Sequence, residues 1–154
     1  MKRRIYPPKN AEGILERLTT IGPGIPVQIF STKQKAMMYA AALGYFRNER
    51  TKLESRGEGI RYDIFEKALD DSFIDALAIA EKDDLEILSD ERESERAEIF
   101  EEYAHTGLLE MEKLCFKKEG DPLENLIRLS DEVRSTESSD IEGIDSNILK
   151  GLIG

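Results

Sequence analysis

Glu98, Glu102 and His105 stand at i, i+4 and i+7 of a segment with helical periodicity, and Glu102 with His105 makes a Glu-x-x-His spacing. On a helix these side chains leave from one face, as they do in carboxylate-bridged di-metal sites of helical bundles. Such a site also needs further carboxylates and a second Glu-x-x-His. His105 is the single histidine, so only a symmetric dimer could complete the set. A metal-dependent enzyme using Glu98, Glu102 and His105 across a dimer therefore ranks behind the binding readings below. His105 is read as a surface or capping residue beside Gly107, and no cofactor is expected. Cys115, the single cysteine, falls on an apolar stripe, which suits core packing better than nucleophilic chemistry. The acidic run from Asp83 to Glu102 reads as a solvated helix face, since acid–base work needs two carboxyls in different environments. Neither Gly22-Pro23-Gly24 nor Gly57-Glu58-Gly59 has the context of a phosphate loop. No catalytic residue is assigned.

Charge is split along the chain. Residues 1–67 carry 13 Lys and Arg against 7 Asp and Glu, while residues 68–154 carry 9 against 25. A basic front half can meet a polyanion, and an acidic back half would turn away from one. Candidates for phosphate contact are Lys33, Lys35, Arg47, Arg50, Lys52, Arg56 and Arg61, with Lys2, Arg3, Arg4 and Lys9 behind them. Tyr6, Tyr45 and Tyr62 could interleave with them. Lys33 and Lys35 occupy the first turn of a predicted helix, where the dipole disfavours positive charge, so an anion could belong there. A surface lysine costs only a few tenths of a kcal/mol at such a position and needs no such reason. The pattern is diffuse, without zinc ligands, a recognition helix or an aromatic sheet signature, and ordinary surface basicity explains it equally well.

The elements that would position these residues are mostly helices. A length of 154 residues suits one domain, and 40% apolar content can supply its core. No window is apolar enough to span a bilayer, the basic start lacks an apolar signal core, and one cysteine fits a reducing compartment. A cytoplasmic protein is expected. Asn10 caps a short helix with Ile14, Leu15 and Leu18 inward, and TIGPGIP must be a loop. Val27–Phe30 can be a short strand. Ser31 or Thr32 starts a helix in which Met37, Met38, Ala41, Ala42, Tyr45 and Phe46 keep helical spacing, and Ala40–Ala42 allow another helix close. Residues 47–62 read as a mobile connection or hairpin, with a possible strand at 60–64. Asp70 or Asp71 caps a helix burying Phe73, Ile74, Leu77 and Ala78. A long amphipathic helix runs from Ser89 or Asp90 to about Lys117, with Gly107 marking a kink or a close contact. Asp121-Pro122 restarts a helix carrying Leu123, Leu126, Ile127, Leu129 and Val133. Beyond Val133 a Ser- and acid-rich linker leads to Ile144, Ile148, Leu149, Leu152 and Ile153, either a docking peptide or a tail frayed or folded back.

Three segments, FSTKQKAMMYAAALGYFRNER, IFEKALDDSFIDALAIAEKDDLEIL and ERAEIFEEYAHTGLLEMEKL, resemble the Dnd system-associated proteins, in the DNA phosphorothioation-associated protein 4 group. The strongest marks are Ala40–Tyr45 (AAALGY) and Tyr103–Leu108 (YAHTGL), which look like helix-packing elements. The resemblance covers roughly residues 5–133. It implies a setting: bacterial systems that replace a non-bridging phosphate oxygen of DNA with sulfur, or restrict DNA lacking the mark. It implies an accessory role and brings no catalytic residues to carry over.

The expected fold is mainly α: one compact domain, residues 1–133, of about five helices with at most a short two-stranded β element. Residues 134–154 are expected to form a flexible acidic linker and an apolar C-terminal peptide. The expected function is a non-catalytic accessory factor of a phosphorothioation-linked modification, restriction or antiphage defence system, touching duplex DNA through the basic half. The alternative is a protein–protein adaptor without DNA contact, using the acidic helices and the C-terminal peptide. Other Dnd-system proteins are the expected partners, and no membrane partner is expected.

Overall fold

The computed structural model describes residues 3–142 apart from Gly24 and Pro26. Among them are six α-helices: α1 (Glu12–Thr19), α2 (Lys33–Phe46), α3 (Tyr62–Lys67), α4 (Asp71–Lys82), α5 (Glu93–Met111) and α6 (Pro122–Glu142). A two-stranded antiparallel ribbon joins β1 (Arg4–Ile5) to β2 (Ile60–Arg61), with Arg4 opposite Arg61 and Ile5 opposite Ile60. The chain is mainly α, as its apolar periodicity predicts.

Everything packs around the crossing of α2 and α5. Gly44 of α2 lies against the backbone of Tyr103, and Gly107 of α5 lies against the backbone of Ala40. A Cβ at either glycine would collide with the carbonyl of the facing helix. The pairing of 44 with 103 and 40 with 107 makes the helices antiparallel. Gly107 therefore marks a close contact, not a kink. Around this crossing Met37, Ala41, Phe100, Ala104, Leu108 and Met111 are fully buried. Burial of such side chains stabilises by about 1.5–3 kcal/mol each for the larger ones. α1 covers α2 with Ile14, Leu15 and Leu18, and α4 covers α5 with Ile74, Leu77 and Ala78. α5 ends in a π-helical turn, Glu112–Phe116, which buries Cys115 and lifts its thiol pKa to about 11 through desolvation. Buried Asn125 of α6 donates to the carbonyl of Cys115 at 3.1 Å and so fastens α6 to that turn.

β1 is drawn into the body by one buried carboxylate. Ile5 is fully buried, and the amide of Tyr6 donates to Glu101 of α5 at 2.5 Å. Glu101 is 4% exposed, and desolvation raises its pKa to about 7, against the opposing pull of the Tyr6 amide and Arg56.

Some expectations are corrected. Val27–Phe30 forms no strand. The Phe30 amide donates to Leu18 O at 2.9 Å and the Gln28 side chain donates to Thr19 O at 2.7 Å, so this segment serves the end of α1. The partner of β2 comes from the N-terminus instead. Residues 47–59 are pinned: the Thr51 amide donates to Glu102 O, Lys9 to Ser55 O and Gly57 to Pro7 O. Asn10 sits within a 3-10 turn, Lys9–Ala11, ahead of α1 and makes no cap hydrogen bond. Thr32 does cap α2, its hydroxyl accepting from the Lys35 amide at 3.2 Å. Asp70 makes no cap hydrogen bond to α4; its carboxylate takes the Gln34 amide group. Ile127 is 52% exposed, because α6 packs through Leu126 and Leu129 on its other face. α6 continues to Glu142, across the first residues of the segment expected as linker. The apolar peptide from Ile144 to Ile153 lies outside the described residues.

Two outcomes follow for stability. Gly107→Ala and Gly44→Ala will each destabilise by about 1–3 kcal/mol or more by overpacking the crossing. Gly13→Ala, on an open face of α1 with nothing within 4 Å of a new Cβ, will stabilise by about 0.5–1 kcal/mol. Urea midpoints of the three variants check both signs. The second outcome concerns pH. Because the folded pKa of Glu101 lies near 7 and its ordinary value near 4.5, the folded state favours the protonated acid. The resulting penalty is absent below about pH 4.5, grows as pH rises, and is complete above about pH 7. It amounts to about 3 kcal/mol at most, at 1.36 kcal/mol per unit. Glu101→Gln will flatten this decline in a pH series of unfolding free energies.

Candidate nucleic-acid interface

The basic residues of the front half do not form one patch. The Arg47 guanidinium grips Glu110 of α5 with Nε at 2.7 Å and Nη2 at 2.6 Å. Arg50 lies between Glu81 of α4, at 2.8 Å, and Glu102 of α5, at 3.4 Å, with its guanidinium over the Tyr103 ring. Tyr103 donates its hydroxyl to Glu81 in the same cluster. That bond, with Arg50 beside it, lowers the Glu81 pKa. Arg47 and Arg50 thus stitch the end of α2 and the following loop to α4 and α5, and their charge is spent internally. Arg56 stacks over Tyr6, 4.7 Å from the ring centre, and Arg3 stacks over Tyr62 at the same distance. Tyr45 meets Tyr103 edge-on. The three tyrosines that could have interleaved with bases therefore face partners within the protein.

A second group does converge. Arg4 of β1, Arg61 of β2 and Lys33 of α2 line one groove of about 430 Å³, together with Thr32, Gln34 and Glu58. The ribbon makes this possible, since its register sets Arg4 directly across from Arg61. Arg4 donates to the Gly59 carbonyl at 2.9 Å, which holds it along the groove wall. Arg61 pairs with Asp63 at 3.4 Å and Lys33 with Glu16 at 3.5 Å. Both pairs are solvent-exposed, so they contribute little and can yield to an incoming anion. The groove abuts the start of α2, whose first amides have no partner within the helix and carry the positive end of its dipole. Lys35, two residues on and so turned to another side of α2, is exposed, and Lys52 is exposed on the loop. Of the seven principal candidates, Lys33 and Arg61 meet in this groove, Lys35 is not among its lining residues, and Arg47 and Arg50 are committed elsewhere. Sequence reading placed Arg4 in the second rank, because only β pairing reveals what it faces.

The Glu98, Glu102 and His105 group does not assemble as a metal site would. His105 is 3% exposed, so the expectation of a surface position is corrected. Its Nδ1 lies 3.1 Å from the Thr51 carbonyl, which fixes the proton on that nitrogen. Glu102 faces Arg50, and burial raises its pKa, with neighbouring Glu98 adding to the rise. Among the described residues no three His, Cys, Asp or Glu side chains gather as a metal requires. His105 instead belongs to the packing of the 47–55 loop against α5, beside the Thr51–Thr106 hydroxyl contact at 2.7 Å. No helix among the described residues is long and apolar enough to cross a membrane.

Comparison with known proteins agrees with the resemblance carried by the two glycine-bearing segments. No curated protein matches the chain, and no solved structure does. The family model of DNA sulphur modification system-associated protein 4 matches residues 4–147, which includes both faces of the α2–α5 crossing and the whole basic groove. The chain belongs to the family of DNA sulphur modification system-associated protein 4.

Proposed function

We propose that this protein is a non-catalytic accessory factor of a bacterial DNA phosphorothioation-linked modification or restriction system, and that it contacts duplex DNA through the groove between the β-ribbon and α2. The observation that carries this reading is the convergence of Arg4, Lys33 and Arg61 from three separate segments onto one groove. Family membership supplies the DNA-modifying setting. Phosphate contacts of this kind position a protein on DNA without reading its sequence. Three or so neutralised phosphates give a log–log salt slope of about −3. The affinity then falls in the range of non-specific binding, with Kd of about 10⁻⁴–10⁻⁶ M at physiological salt.

A protein–protein adaptor is the second reading. It is favoured by Leu85, 71% exposed, and Leu88, 40% exposed, on a 3-10 turn flanked by Asp83, Glu86, Asp90 and Glu91. Such a tip suits a basic partner with an apolar anchor, which other components of the same system could provide.

Titration of the purified protein against short duplexes, with and without phosphorothioate, at several salt concentrations separates the two. Binding that weakens with the slope given above, and is lost in a Lys33→Glu, Lys35→Glu, Arg61→Glu variant, is the expected result. A difference between the two duplexes would tie the contact to the modification. Arg47→Ala and Arg50→Ala will lower the melting temperature while leaving the salt slope of the folded fraction unchanged. Absence of binding at low salt sinks the DNA contact and leaves the adaptor.

A further inference from the structure

Ile64 of α3 is half-buried, yet among the described residues it is not one of the half-buried side chains that pack on the core. It lines the groove that holds Arg4, Lys33 and Arg61. Ile60 lines that groove too, but it stands opposite fully buried Ile5 in the ribbon and packs on the core. Residues paired across an antiparallel ladder share a face, so Ile60 turns inward with Ile5, and Arg4 and Arg61 turn the other way. Ile64 is therefore the aliphatic side chain left for a ligand in the groove. The cation beside it is held in place. The Arg4 stem lies across Gly59, where an added Cβ would meet Arg4 Cδ at 2.9 Å and Arg4 Cβ at 3.0 Å, and its guanidinium is tied to the Gly59 carbonyl. The neutral polar side chains of the groove are engaged: Thr32 accepts from the Lys35 amide, and Gln34 donates to Asp70.

We propose that this groove distinguishes a phosphorothioate linkage of DNA from an ordinary phosphate, with Ile64 receiving the sulfur and the cations of Arg4, Lys33 and Arg61 receiving the oxygen. Such selectivity rests on the DNA contact proposed above, in a family whose setting is sulfur-modified DNA. The two non-bridging positions of a linkage seated here meet different surroundings. One faces guanidinium and ammonium donors. The other faces hydrocarbon, where a phosphate oxygen loses water and gains no hydrogen bond. Sulfur at that second position is larger, more polarisable and a weak acceptor, so contact with an isoleucine side chain favours it through dispersion and apolar burial. The guanidinium groups, more weakly hydrated than an ammonium, suit the remaining charge of such a group. Because sulfur and oxygen must take opposite sides, the groove prefers one of the two configurations at phosphorus. Exposed Glu58 lines the same groove and repels both kinds of linkage alike, so it lowers affinity without setting selectivity.

The test titrates the full chain, by fluorescence anisotropy at one low salt concentration, against short duplexes of a single sequence. One carries ordinary phosphates, and the others carry phosphorothioate of Rp or of Sp configuration at each linkage. The expected result is that one phosphorothioate duplex binds at least about fourfold more tightly than the phosphate duplex, the factor that burial of one methylene-sized apolar group supplies. The duplex of opposite configuration gains nothing. Ile64→Thr, which keeps the branched shape but brings in a hydroxyl, takes the ratio close to unity, and Ile64→Val retains the preference. Each ratio is measured on one variant, so any loss of folded protein cancels. Equal binding of all the duplexes by the unaltered chain overturns the selectivity and leaves the DNA contact standing. Tighter binding of both phosphorothioate duplexes alike marks unspecific adhesion of sulfur and overturns it as well. A preference that survives in Ile64→Thr overturns the assignment to Ile64. Absence of binding to every duplex removes the DNA contact, and the selectivity with it.

Discussion

Backbone-to-backbone contact between α2 and α5 is the constraint from which the other features descend. Two glycines, one on each helix and each facing a carbonyl of the other, let the axes come closer than any side chain would permit. At that separation the rows of alanine on α2 and the Ala104–Leu108 face of α5 interlock, and van der Waals contact accumulates over several turns. The crossing also fixes where the loop after α2 must run. Having ended at Phe46, the chain meets α5 at once, and Thr51 bonds to Glu102, Thr106 and His105. From there the loop is led past Pro7 and Lys9 to β2. The basic groove is thus a downstream consequence of a packing contact made elsewhere.

Electrostatics show the same dependence on tertiary placement. A net positive front half and a strongly negative back half suggest two opposed faces. In the folded chain they interpenetrate instead. Arg47 and Arg50 are drawn onto carboxylates of α4 and α5, where burial strengthens each charged hydrogen bond. Arg96, nearly buried, is held by Asp75 and by the carbonyls of Ile87 and Ser89. These charges cannot be read as surface charge, because removing one partner strands the other in a low dielectric. What is left for a polyanion is the smaller set around β1, β2 and the start of α2. What is left for a basic partner is the acidic tip at Leu85–Leu88.

Glu101 illustrates a buried group kept for a structural purpose. Its carboxyl receives the Tyr6 amide, a part-buried backbone donor directly after β1. The site holds β1, and with it Arg4, against the body. Ile5, fully buried next to Tyr6 in the chain, adds apolar burial that works in the same direction. The ribbon is only two residues deep on each side and could not hold this position through its own ladder.

Helical class, the inward faces of α1, α4 and α5, and the Thr32 and Asp121 helix starts were determined by the sequence, because periodicity and capping are local properties. The family was also legible there, through the AAALGY and YAHTGL segments. The sequence is compatible with Gly107 either bending its helix or admitting another, since both demand the same residue. The facing backbone of Ala40 decided it. The pairing of β1 with β2 joins residues more than 50 positions apart, and two-residue strands carry no alternation that a sequence can display. His105 reads as a surface residue in the sequence because a polar residue on a nearly all-round buried helix looks solvated until the 47–55 loop is laid over it. Which arginines are free was likewise a tertiary outcome: a guanidinium's partner is fixed by the helix packed beside it, not by its neighbours in the chain.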